Sequence, residues 1–116
     1  MNNFRLLLSE PRARVLELAP SGEVDLATVT PLREATRTAV ASHDYDWLVF
    51  DLSGVTFMDS SGLHVLAEAN AAMTRDAGGI RVICGPGHVR KVFELTGLDR
   101  VLPIFSERSE ALTVAA

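Results

Sequence analysis

The stretch of this chain best suited to chemistry is Asp59-Ser60-Ser61-Gly62, where two hydroxyls lie between a carboxylate and a glycine. Leu63, Leu66 and Met73 follow at helical spacing, which predicts that a helix begins at or just after the serine pair. The first turn of a helix has free backbone N–H groups and a partial positive charge, and both stabilise an added phosphoryl group. Gly62 also leaves the space beside the hydroxyl free of a side chain.

A second interpretation of the same stretch is structural. Ser and Asp are preferred N-cap residues, so Asp59 or Ser60 is expected to cap the helix. The two interpretations are compatible, because one residue can cap the helix while its neighbour is modified.

The elements before the serine pair are a predicted hairpin, a helix and a central strand. Phe4–Ser9 and Val15–Leu18 are expected to be antiparallel strands joined by a turn at Glu10–Arg12. The apolar stripe of the first helix is Leu26, Val29, Leu32, Ala35/Thr36 and Ala39/Val40, with Thr28 as its N-cap. Trp47–Phe50 is continuous, aromatic and β-branched, which is typical of a strand buried on both faces. Ser53-Gly54 ends that strand.

After the serine helix, the sequence predicts that strands and helices continue to alternate. Ile80–Cys84 is the next strand, and a helix then runs to Gly97. Val101–Phe105 is a short strand, and Ser106 can cap a last helix. The expected order is ββαβαβαβα, an α/β fold with a mixed sheet of about five strands. Right-handed crossovers then place the helices largely over one face.

Composition indicates a single domain over residues 1–116, since smaller pieces could not bury a core. The formal net charge of −4 and the scattered basic residues argue against direct binding of nucleic acid. The one cysteine, Cys84, excludes an internal disulfide and fits a reducing compartment. No apolar run approaches the length of a membrane span, so no membrane insertion is expected and a cytoplasmic location is predicted.

Catalytic alternatives find little support in the sequence. A hydrolase elbow needs Gly-x-Ser-x-Gly, and the stretch before Ser61 lacks the first glycine. A receiver-type domain that phosphorylates Asp51 with the help of Mg²⁺ is a rival, but the early chain has no adjacent acidic pair at a strand end. No phosphate-binding glycine loop is present either. We therefore expect a protein that is not an enzyme and that needs no metal or cofactor.

The segment DLSGVTFMDSSGLHVL closely resembles the signature of STAS domains, in particular the freestanding bacterial anti-sigma factor antagonists. Ser21–Asp25 resembles an early turn of that family, and the segment from Pro86 to Leu98 is similar to its late helix and turn. The resemblance covers almost the whole chain. His64 stands where many members have a small residue.

The resemblance implies a binding switch. The serine before the motif glycine, Ser61, would be phosphorylated by an anti-sigma factor that is also a serine kinase, and a serine phosphatase would reset it. The unmodified protein would bind that kinase and release its sigma factor. Its binding surface would comprise Asp25, Asp59, Ser60, Ser61 and Gly62. The alternative is a non-switching STAS scaffold in a signalling assembly or a membrane transport complex.

Overall fold

The computed structural model describes residues 3–114, which form a mixed sheet of six strands and four helices. In chain order the elements are β1 (Arg5–Arg12), β2 (Val15–Val24), α1 (Val29–Ser42), β3 (Trp47–Asp51), β4 (Gly54–Met58), α2 (Ser60–Arg75), β5 (Gly79–Ile83), α3 (His88–Thr96), a 3₁₀ turn (Leu98–Arg100), β6 (Ile104–Phe105) and α4 (Arg108–Val114). This arrangement confirms the predicted α/β class and the four predicted helices.

The sheet is organised around β2, which pairs with three other strands. The strand order is β1-β2-β3-β5-β6, with β1 antiparallel to β2 and the remaining pairs parallel. The first half of β2 pairs with β3, from Val15 opposite Trp47 to Leu18 opposite Phe50. Its second half pairs with β4, from Ser21 opposite Gly54 to Val24 opposite Met58. One long strand therefore runs from the hairpin to the start of α2.

Two predicted boundaries in this region were wrong. The second strand was expected to stop near Leu18, and residues 55–58 were not assigned to a strand. Pro20 and Gly22 resemble strand breakers, but Pro20 falls between the two parallel ladders of β2. The hairpin turn also lies later than predicted, since β1 extends through Arg12 and Arg14 takes the left-handed turn conformation at φ 62°.

The core lies mainly between the sheet and helices α1, α2 and α3. Alternation along β3 places Leu48 and Phe50 in this core, while Val49 faces the opposite side under α4. Complete burial of a side chain such as Phe50 contributes about 1.5–3 kcal/mol. Three helices on one face and the short α4 on the other confirm that the helices largely cover one face.

An ion pair holds α4 against the far face of the sheet. Glu17 of β2 is only 6% exposed, and both of its carboxylate oxygens accept hydrogen bonds from Arg108 Nε, at 2.9 and 3.1 Å. Two strands away on the same face of the sheet, the guanidinium of Arg81 stacks on the ring of Trp47 at 3.8 Å. A helix of seven residues needs such tertiary contacts to be stable. Within residues 3–114, no helix combines the length and apolarity needed to cross a bilayer.

Candidate functional site

The first turn of α2 is organised by the carboxylate of Asp59, which is the N-cap. Asp59 has an extended backbone, and its Oδ1 accepts a hydrogen bond from the N–H of Ser61 at 2.9 Å. Its own N–H donates to the carbonyl oxygen of Val24 at 3.1 Å, which ties the helix start to the end of β2. The cap is therefore supplied by Asp59 rather than Ser60, and the helix begins at Ser60 as predicted.

The two serines differ in their surroundings. Ser60 is exposed, whereas Ser61 is half-buried and donates its hydroxyl hydrogen to Asp59 Oδ1 at 2.5 Å. This bond orients the Ser61 hydroxyl toward the cap and leaves its oxygen lone pairs available. Ser61 is therefore a half-buried residue whose hydroxyl has a defined orientation at the start of α2.

The charge of the Asp59 carboxylate is stabilised by these same bonds. The hydrogen bond from the Ser61 hydroxyl is the largest cause that lowers the pKa of Asp59, and the N–H groups of Ser61, Leu26 and Gly62 lower it further. Partial burial opposes this effect by disfavouring the charged form. A carboxyl group with a lowered pKa is fully ionised at neutral pH, so at that pH Ser61 lies beside a negative charge.

The turn before α1 is locked by Asp25. Its Oδ1 accepts hydrogen bonds from the N–H groups of Ala27 at 3.0 Å and Thr28 at 3.1 Å. Thr28 occupies the N-cap position as predicted, but its side chain makes no cap bond. Its hydroxyl instead lies 2.8 Å from the carbonyl oxygen of Glu23 and accepts from the Asp25 N–H. Asp25 therefore shapes the turn, because one of its carboxylate oxygens binds the backbone N–H groups of Ala27 and Thr28.

Leu26 was assigned to the buried stripe of α1, and this was wrong. It lies before the N-cap, where helical periodicity does not apply, and its side chain is 78% exposed. Its N–H contributes to stabilising the Asp59 carboxylate, so the turn and the start of α2 meet there. We call Leu26, Asp59, Ser60 and Ser61 the serine surface. It combines an exposed apolar side chain with an oriented hydroxyl.

Gly62 does not belong to this surface, because it is buried and faces inward. A Cβ atom at Gly62 would lie 2.8 Å from Cγ of Met58 and 2.9 Å from Cγ1 of Val24. The glycine was expected to leave room beside the hydroxyl for another molecule. In the structure that room is filled by the protein's own core, so Gly62 permits close packing of α2 on β2 and β4.

The other candidate residues lie outside the serine surface. His64 is exposed, with its Nε2 3.9 Å from a carboxylate oxygen of Glu68. Asp51, the acceptor in the receiver-type alternative, receives hydrogen bonds from the N–H and hydroxyl of Ser53. Among residues 3–114, no group of three or more His, Cys, Asp and Glu side chains is placed to hold a metal ion.

A comparison with known protein families shows which family this chain belongs to. The STAS domain model matches residues 8–111, which is most of the chain. The chain belongs to the STAS domain family. The anti-sigma-F factor antagonist RsfB of Mycobacterium tuberculosis is 35% identical to it over 99 residues, or 85% of this chain and 80% of the relative. The anti-sigma F factor antagonist of Paenibacillus polymyxa is 29% identical over 99 residues, or 85% of each.

Solved structures agree with this membership. An anti-sigma factor antagonist from Mycobacterium paratuberculosis superposes with a TM-score of 0.88 at 31% identity, covering 97% of this chain and 94% of that chain. The phosphorylated form of the Bacillus protein SpoIIAA superposes with a TM-score of 0.71 at 23% identity, covering 95% and 99%, which shows a shared fold. The chain is thus a homologue of anti-sigma factor antagonists, a family without catalytic activity, and the receiver-type alternative is set aside.

Proposed function

We propose that this protein binds an anti-sigma factor through the serine surface, and that phosphorylation of Ser61 ends the binding. The observation that carries the proposal is the position of Ser61, half-buried and oriented by Asp59, whose carboxylate also accepts a hydrogen bond from the backbone N–H of the exposed residue Leu26. Phosphorylation of Ser61 would add a strong negative charge to a surface that also exposes the apolar side chain of Leu26.

The partner would itself be the serine kinase. Binding of the unmodified serine surface would release the sigma factor from that partner, and transfer of phosphate to Ser61 would reverse the release. A serine phosphatase would restore the binding form. The curated relatives named above support this proposal, because they antagonise anti-sigma factors. That a protein of the same fold, SpoIIAA, exists in a phosphorylated form supports the modification.

The free energies involved support a phosphorylation that weakens partner binding and leaves the fold intact. A phosphoserine adds a charge of about −1.5 to −2 at neutral pH. The N-terminus of α2 stabilises that charge by about 0.3–1 kcal/mol, while the ionised Asp59 beside it opposes the gain. A like charge or a lost contact inside an interface costs several kcal/mol. Since about 1.4 kcal/mol is a factor of ten, affinity should fall by about two or three decades.

The neighbouring serine provides the matched control for a test. The purified protein, Ser61→Ala and Ser60→Ala would each be incubated with ATP and an anti-sigma factor kinase from the same organism, and intact masses would be recorded. We expect one phosphoryl group on the wild type and on Ser60→Ala, and none on Ser61→Ala. Phosphate uptake by Ser61→Ala equal to that of the wild type would reject Ser61 as the acceptor.

Binding of the same variants separates the switch from the non-switching scaffold. Ser61→Ala should bind the kinase about as tightly as the unmodified wild type, because it retains the apolar contact. Ser61→Asp should bind about tenfold or more weakly while remaining folded, with its melting temperature lowered only by the loss of the hydroxyl bond to Asp59 and the added like charge. A protein that binds the partner but takes up no phosphate at any position would instead support the scaffold.

A further inference from the structure

Two adjacent serines, Ser60 and Ser61, lie at the start of α2, and either hydroxyl has the chemistry to accept a phosphoryl group. Ser60 is the more accessible of the two, because it is exposed whereas Ser61 is half-buried. Access alone would therefore favour Ser60. The proposed function assigns the phosphoryl group to Ser61, so another property of the site has to favour Ser61.

The two hydroxyls differ in their contact with the N-cap carboxylate. The Ser61 hydroxyl donates to Asp59 Oδ1 at 2.5 Å, whereas the Ser60 hydroxyl makes no hydrogen bond within residues 3–114. A hydrogen bond from a hydroxyl to a carboxylate is shorter and stronger than one between neutral groups. It fixes the direction of the hydroxyl and increases the electron density on its oxygen, as a base does beside a serine nucleophile.

The Asp59 carboxylate is itself held in place before any reaction begins. Its Oδ1 accepts a hydrogen bond from the N–H of Ser61 at 2.9 Å, and the N–H groups of Leu26 and Gly62 also stabilise its charge. These donors come from two segments, the turn before α1 and the first turn of α2. An acceptor that is fixed in this way needs no reorganisation when the hydroxyl reacts.

We propose that Asp59 takes part in the phosphorylation of Ser61, by orienting its hydroxyl and accepting its proton, and that it thereby selects Ser61 over Ser60. This inference rests on the proposed function, because it concerns the same phosphorylation. The phosphoryl donor is ATP bound to the partner kinase. The Oγ of Ser61 forms a bond to the γ-phosphorus, the bond from that phosphorus to the β-phosphate oxygen breaks, and ADP leaves with the electron pair. The hydroxyl proton moves to Asp59 Oδ1 and then to solvent.

The electrostatics of Asp59 are compatible with this role. Its lowered pKa keeps it ionised and ready to accept a proton, although it makes the carboxylate a weak base. Phosphoryl transfer relies mainly on positioning and electrostatics, and an aspartate also accepts the hydroxyl proton in protein kinases. Because Asp59 becomes neutral as it takes the proton, its charge does not oppose the phosphoryl group during transfer.

Asp59→Asn separates this role from helix capping. Asparagine is also a preferred N-cap, and its side-chain oxygen can accept hydrogen bonds from Ser61, but it does not take up the proton. Asp59→Asn should stay folded and should bind the kinase, loaded with a non-hydrolysable ATP analogue, within about threefold of the wild type. At saturating kinase its rate of phosphoryl transfer should fall at least about tenfold, since general-base assistance contributes about 10²–10⁴-fold.

Glu23→Gln is the matched control for charge. Glu23 is an exposed acid near the end of β2, and its replacement changes the net charge by the same amount. This variant should transfer phosphate at the wild-type rate. Peptide mapping of the products would identify the acceptor, which we expect to be Ser61 in the wild type, with a larger share on Ser60 in Asp59→Asn.

The outcomes distinguish this inference from the proposed function. If Asp59→Asn is phosphorylated on Ser61 at the wild-type rate, the partner supplies the proton acceptor and the inference is overturned, while the phosphorylation switch stands. If Asp59→Asn is slow only because it has unfolded or no longer binds the kinase, Asp59 is a structural residue and the inference is overturned too. A wild type that takes up no phosphate would overturn the proposed function and this inference with it.

Discussion

Removal of the Asp59 carboxylate should destabilise the protein by an amount set by the bonds it accepts. Asp59→Ala deletes the acceptor for the Ser61 N–H and the Ser61 hydroxyl, and it removes the charge that the Leu26 N–H stabilises. Loss of an N-cap side chain costs about 0.5–2 kcal/mol. We expect a loss of about 1–2 kcal/mol, which for a domain of this size lowers the melting temperature by about 4–8 °C.

Acidification should reduce the difference in stability between the wild type and Asp59→Ala, because the pKa of Asp59 is lowered in the folded state. The hydrogen bonds from Ser61 and neighbouring N–H groups lower the pKa of Asp59 in the folded state relative to the unfolded chain. The stabilisation from the ionised carboxylate is therefore fully present above the unfolded value of about 3.9. It is lost as the pH falls through the lower, folded value. Wild type and Asp59→Ala should thus converge in stability at low pH.

Urea unfolding at a series of pH values, from neutral to strongly acidic, would measure both effects. Asp59→Asn is the matched control, because asparagine is also a preferred N-cap but carries no charge. It should retain most of the stability at neutral pH and show a weaker pH dependence than the wild type. The reasoning would be refuted if Asp59→Ala matched the wild type at neutral pH, or if their difference stayed constant down to strongly acidic pH.

Three further substitutions test the surrounding structure. Gly62→Val should cost about 1–3 kcal/mol in urea unfolding, because its side chain would overlap Met58 and Val24; stability equal to the wild type would show that the packing is looser than described. Arg108→Met should cost about 1–3 kcal/mol by leaving the buried Glu17 carboxylate without its partner. Adding Glu17→Gln to that variant should recover part of the lost stability. If the double variant instead loses the sum of the two single losses, this account is contradicted. Asp25→Ala should lower both stability and partner affinity, since Asp25 holds the turn that positions Leu26; a loss of affinity in calorimetric titration with no loss of stability would indicate direct contact instead.

The fold was predictable wherever a local pattern determined the outcome. The run of apolar residues in β3 and the helical spacing after Ser60 each indicate one structure, and both were assigned correctly. Asp59 was one of two expected caps, because the preference of Asp and Ser for the N-cap position is a local property. These assignments need no knowledge of distant parts of the chain.

The remaining features depend on contacts between distant residues. The second half of β2 is a strand because β4 pairs with it, and Pro20 within it gives the opposite local signal. Gly62 is next to a surface residue in sequence, yet its free space is taken by Val24 and Met58. The exposure of Leu26 follows from a turn fixed by Asp25, which apolar spacing alone does not reveal.

Because β2 is long enough to pair with both β3 and β4, the registers of these two pairings depend on each other. A slip of one residue would turn every side chain of this strand to the opposite face. Leu18 would then leave the main core, and Glu17 would enter it without a counter-ion. Since β3 and β4 pair with successive halves of the same strand, both would have to be misaligned together. A mistake at the hairpin would therefore also displace Val24 and the cap of α2, so only correctly registered molecules would present Ser61 in its oriented form.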